Sequence, residues 1–151
     1  MISETGEAWS NLWLRRQPGA GLGGQMKIVT IVAQVLVGLV FVVFGSNAFL
    51  NFLNGPLPPG PGGDFLKLLF SSHYVLFVGG AQVIGGALVL SNRFVPLGLT
   101  ILGPVIVNIL LFHGLLSHAG WQPGVVIAIL WVFLFFRYQA NFAGIFAAKA
   151  L

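Results

Sequence analysis

The sequence predicts an all-α fold: an integral membrane four-helix bundle with short interfacial helices. Three observations carry that reading. Of 151 residues, 57% are hydrophobic and only 7% are charged, whereas soluble domains carry about 25% charged residues. The apolar residues gather into four runs separated by Pro/Gly-rich or basic turns. The net charge of +4 comes from seven Lys/Arg against three Asp/Glu, and in so apolar a chain a basic excess reports membrane orientation rather than nucleic-acid binding. A chain of this composition cannot coat a water-soluble core, and it lacks the polarity of a disordered one. Cys is absent, which excludes a disulfide framework, thiolate metal sites and dithiol redox chemistry.

The elements follow in order. Residues 1–27 read as a cytoplasmic tail. Within it Trp9, Leu12 and Trp13 stand at i, i+3 and i+4, with Arg15 and Arg16 closing the stretch, a spacing that suits a short helix lying in the membrane interface. Residues 28–151 read as the four-span membrane domain. The first apolar run opens at Ile28 behind Lys27 and continues to Phe52. Its distance from the start of the chain suggests an uncleaved span rather than a signal peptide. The stretch from Asn54 to Gly63 is too dense in proline for a helix and reads as a loop. Asp64 stands as an N-cap for Phe65 to Ser72, a segment apolar enough to lie flat at the surface. The second span runs from Tyr74 to Leu90, and Ser91, Asn92 and Arg93 make a turn. A third span covers Val95 to Leu116, with Pro96 harmless in its first turn and Pro104 placed to kink its interior. Ser117 to Gly124 read as a loop. The last span covers Val125 to Tyr138, with Trp121 and Arg137 marking its two interfaces, and Asn141 to Leu151 read as a continuation of the helix into the interface.

Four spans return both termini to one side. Arg15, Arg16, Lys27, Arg93, Arg137 and Lys149 fall on that side and Lys67 alone on the other. By the positive-inside rule both termini are cytoplasmic, in a multi-pass protein of the inner (cytoplasmic) membrane.

No Asp, Glu, Lys or Arg lies in the interior of any span. Proton relays, voltage sensors and ion-coupled transporters are normally built on such residues, so those functions are disfavoured. The polar residues left are Gln34, Asn47 and Asn51 in the first span, Gln82 in the second, and Asn108 and His113 in the third. Gln82 and Asn108 fall at similar depth by helical rise. Gly79, Gln82 and Gly86 on the second span, with Thr100, Pro104 and Asn108 on the third, form polar and small-residue stripes through which the two helices could meet. Structural glue is the bland reading of those amides. The sharper one is a pocket in which Gln82, Asn108 and His113 hydrogen-bond a quinone or hold a pigment. His73, His113 and His118 gather toward the outer side as weak candidates for ligating a metal or a tetrapyrrole. No HxxxH or HExxH pair is present, and Asp64 is the only carboxylate near them. GGDF at Gly62 to Phe65 enters an apolar helix, and GLGG at Gly21 to Gly24 precedes no nucleotide fold. No nucleophile–base–acid arrangement and no phosphate loop is visible.

GLVFVVFGSNAFLNF in the first span and GGAQVIGGALVLSNRFVPLGLTILGPVIVNILLFH across the second and third resemble the DoxX-like family of small four-span bacterial membrane proteins. The resemblance implies the fold and a redox neighbourhood, and it implies no catalytic residue. Two functions follow as expectations. One is a non-catalytic accessory subunit of a larger membrane electron-transfer or energy-converting complex, with membrane lipids and other membrane subunits as partners and no nucleic acid. The other is a freestanding protein that binds or acts on a lipid-soluble molecule such as a quinone. A scaffold for lipids or tetrapyrrole pigments is a third. An enzyme is the less favoured class.

Overall fold

A computed structural model describes residues 20–53 and 55–142. The expected interfacial helix around Trp9 to Arg16 lies outside them, as does any extension beyond Phe142. Among the described residues every regular element is a helix, and there is no strand. Helix α1 covers Ala20–Leu50, α2 Pro61–Ser71, α3 Tyr74–Leu90, α4 Val95–Leu111 and α5 Trp121–Arg137. A π-helical turn, Phe112–Ser117, extends α4, and a short 3-10 turn, Gln139–Phe142, follows α5. The chain divides into two units, Met1–Ile31 and Val32–Leu151. In the first, Thr30 satisfies its hydroxyl by donating to the Met26 carbonyl at 2.7 Å. The architecture below is that of the second.

Two helices are long and apolar enough to cross a membrane, Gly23–Leu50 and Val95–Ser117. A third span is possible if α2 and α3, which meet at 88°, form one broken segment. By length and composition these helices mark the chain as a membrane protein. Helices α3 and α5 hold 17 residues each, which is about 25 Å of rise against a hydrocarbon core of about 30 Å.

Glycine decides how the helices meet. Gly38 and Gly45 stand seven residues apart on α1, and Gly79 and Gly86 seven apart on α3. They pair in reverse order. A Cβ on Gly38 would lie 2.9 Å from the Gly86 carbonyl oxygen, and one on Gly86 would lie 2.9 Å from that of Gly38. Gly45 and Gly79 repeat the arrangement at 2.8 Å in both directions. Two backbones thus run in contact where any side chain would hold them apart, the device by which small residues drive association in lipid. The contact of α3 with α4 rests on another such pair. A Cβ on Gly98 would lie 2.8 Å from the Gly85 carbonyl oxygen, and one on Gly85 would strike Leu102. Gly103 then receives the ring of Trp131 from α5, whose indole N–H donates to the Leu99 carbonyl at 2.9 Å. Around these contacts lies a core of Val37, Phe41, Val89, Leu99, Leu102 and Leu134, all fully or nearly fully buried.

This arrangement corrects the expected contact between α3 and α4. The stripe of Gly79 and Gly86 faces α1, and Gly85 is the glycine that meets α4. Thr100, Pro104 and Asn108 are exposed, and the Thr100 hydroxyl is satisfied locally by the Pro96 carbonyl at 2.9 Å. Helix α4 runs on through Pro104 to Leu111.

Several boundaries also move. Helix α2 begins at Pro61, so the proline-rich loop is shorter than expected and Asp64 is not the cap. Gly60, at φ 70°, occupies that position, and its carbonyl accepts from Gly63 and Asp64 N–H groups. Proline at the first helical position loses nothing, because its N–H would have had no intrahelical partner. Asp64 instead sits exposed in the first turn and pairs with Lys67 at 3.3 Å. Helix α5 starts at Trp121, inside the segment read as a loop. Pro123 falls within its first turn, where a missing donor is equally harmless. Asn47 and Asn51 together end α1. Asn51 takes φ 48°, and the Asn47 side-chain oxygen accepts from the Leu53 N–H at 2.6 Å.

Candidate functional site

Two cavities open beside Gln82. The smaller, about 290 Å³, is lined by Gln82 of α3, His113 of the π-helical turn, and the apolar side chains of Phe41, Phe44, Ile109 and Ile127. The larger, about 550 Å³, lies among α2, α3 and α4 and is lined by Gln82, Asn108, Pro104, Leu69 and Phe112 among others. The three residues picked from the sequence are therefore split. Gln82 shares one cavity with His113 and the other with Asn108. Among the described residues no hydrogen bond joins Gln82 to Asn108, and neither side chain has a protein partner. The expected glue between those two amides is absent, and the close contact of their helices lies instead at Gly85 and Gly98.

His113 owes its position to the break in helical pitch. The chain widens from α-helical to π-helical bonding at Phe112, and the His118 N–H reaches back five residues to the His113 carbonyl at 2.9 Å. Such turns often mark functional positions. His118, at φ 54°, then reverses the chain. The reversal brings the Ala119 carbonyl to 2.7 Å from His113 Nδ1. A carbonyl oxygen only accepts, so Nδ1 carries the proton and donates. In the neutral ring that fixes Nε2 as the acceptor. The imidazole also meets the Phe112 ring edge-on, centroids 5.2 Å apart.

His73 lies at the junction of α2 and α3, at φ 59° and exposed. His118 is exposed in its own turn. Among the described residues no three His, Cys, Asp or Glu side chains converge on a point that could hold a metal. The sequence grouped these histidines by side of the membrane, and the fold spends one of them on a loop carbonyl and two on left-handed turns.

A further polar cluster escaped sequence reasoning. Gln34 of α1 is 4% exposed. Its amide donates to the Asn92 side-chain oxygen at 3.0 Å and stands 3.5 Å from the Val89 carbonyl. Tyr138, just past α5, donates its hydroxyl to the same Asn92 oxygen at 3.5 Å. One turn residue thus ties together the start of the second unit, the end of α3 and the end of α5. Gln34 was legible as a polar residue in a span. Its partner was not, because Asn92 read as an ordinary turn residue.

No family model, curated protein or solved structure matches this chain.

Proposed function

We propose that the chain is a four-span, DoxX-like protein of the bacterial inner membrane, with both termini cytoplasmic. In this reading it is a non-catalytic accessory subunit of a larger membrane electron-transfer or energy-converting complex. The observation that carries the reading is the lack of Asp, Glu, Lys and Arg in the interiors of all four apolar runs, which leaves those interiors without the charged side chains on which ion coupling is normally built. The outward faces support it: Val126, Ile129, Val132 and Phe136 leave one side of α5 apolar and exposed, suited to lipid or to neighbouring helices. The right angle between α2 and α3 fits a surface-lying α2 followed by a short second span. Positive charge on the two tails and the Arg93 turn supports the orientation. Extraction from native membranes in mild detergent, with mass spectrometry of what co-elutes, tests the proposal. Redox subunits in fixed stoichiometry are the expected result, and a single small species would overturn it.

A second reading rests on the cavity between Gln82 and His113. Its apolar walls and two neutral polar groups are the ordinary makings of a small-molecule site, and they suit a lipid-soluble ligand of the quinone kind in a freestanding protein. A lipid or a tetrapyrrole pigment would find the same apolar walls. Recovery of a monodisperse protein with a bound small molecule would favour this reading over the first.

A further inference from the structure

The ligand of the smaller cavity can be specified more closely, given the second reading that it is a binding site at all. We propose that this cavity selects a neutral, lipid-soluble phenol, held by its hydroxyl group. The argument starts from His113. Its Nδ1–H is committed to the Ala119 carbonyl at 2.7 Å, so the neutral ring has no second proton to offer an occupant. Only Nε2 is left, and it is an acceptor. A ligand whose oxygens are all carbonyls gives that nitrogen nothing. A hydroxyl satisfies it by donating its proton.

Gln82 supplies the complement. Its carboxamide has no protein partner among the described residues, and its NH2 can donate to the oxygen of the same hydroxyl or to a neighbouring acceptor. No Lys, Arg, Asp or Glu lines the cavity, so an ionised ligand would enter without a counter-charge, at a large desolvation cost. Phe41, Phe44, Ile109 and Ile127 form apolar walls that suit an aromatic ring. The volume of about 290 Å³ accepts such a head group, while any long tail would have to lie outside. The second cavity differs in kind: Asn108 and Gln82 each offer both donor and acceptor there, so it has no means to distinguish a hydroxyl from a carbonyl.

The test compares 4-butylphenol with 4-butylanisole, its methyl ether, which has the same ring and tail but no donor. Each is titrated calorimetrically into the full chain in lipid nanodiscs, with empty nanodiscs as the blank. The phenol is expected to bind about fivefold to tenfold more tightly than the ether, the worth of one net hydrogen bond, and the gap is expected to shrink below about twofold in His113→Phe. His113→Leu serves the same purpose if the phenylalanine variant does not accumulate. Asn108→Leu, which changes only the other cavity, is expected to keep the gap. Equal binding of both probes, abolished in the cavity-filling variant Ile127→Trp, would overturn the hydroxyl selection and leave the cavity as a site. A gap that persists in both His113 variants would overturn it as well. Binding of neither probe would overturn the inference and the second reading together.

Discussion

Gln34 shows how a single amide acts at the residue scale. Buried in lipid-facing helices, an unpaired carboxamide would be costly. Here its donor finds the Asn92 oxygen at 3.0 Å, and the end of α3 lies within reach through Val89. Hydrogen bonds of this type in membrane proteins average about 0.6 kcal/mol and reach about 1.7 kcal/mol. Gln34→Leu keeps the volume and removes the donor. A double-mutant cycle with Asn92→Ala, read by thermal unfolding in detergent, is expected to give a coupling of about 1 kcal/mol. Strictly additive losses would mean that the two side chains do not interact. Trp131 plays a similar part on the opposite contact, where its indole N–H reaches the Leu99 carbonyl at 2.9 Å. Trp131→Phe preserves the packing against Gly103 and stacking on Phe135 while deleting that bond. The expected loss is about 1 kcal/mol, and a larger one would show that the six-membered ring no longer fills the notch.

At the scale of elements, the recurring device is the glycine pair. Gly38 with Gly86, Gly45 with Gly79, and Gly85 with Gly98 each let a carbonyl of one helix approach the backbone of the next. Adding a methyl group at such a position forces the helices apart or the backbone to shift, at a typical cost of about 1–3 kcal/mol. Gly114 offers the internal control, because a Cβ there would meet nothing within 4 Å. Gly86→Ala is therefore expected to lower the melting temperature clearly, while Gly114→Ala leaves it unchanged or raises it slightly through better helix propensity. Similar effects from the two would argue against close approach of α1 and α3. The seven-residue spacing of glycines on both helices was present in the sequence. It read as a stripe on one helix facing α4, because periodicity identifies a face and says nothing about which neighbour covers it. Helix starts were misplaced for a related reason. Pro61 and Pro123 looked like loop residues, yet the first turn of a helix has free N–H groups and tolerates proline without loss.

At the scale of the whole molecule, orientation is the open physical quantity, and it is accessible because the chain contains no Cys. Single cysteines at Gly60 and at Ala150 are expected to react with a membrane-impermeant maleimide from opposite faces, Gly60 from the periplasmic side. Labelling from the same face would rule out four spans with both ends inside. Amino-acid order alone determined that the chain is helical and membrane-bound, since long uncharged apolar runs have no other solvent in which to fold. It also located the second apolar helix, Tyr74 to Leu90, at the limits the structure gives, and it singled out Gln82, Asn108 and His113 as the polar groups worth watching. Only the tertiary structure decided how they combine. It placed Gln82 between two cavities, separated Asn108 from His113, and turned the Ala119 carbonyl onto His113 Nδ1. Those outcomes depend on the rotation of each helix about its axis, set by close contacts of small residues distant in the chain, and on a left-handed turn at His118. Hydropathy carries no record of either.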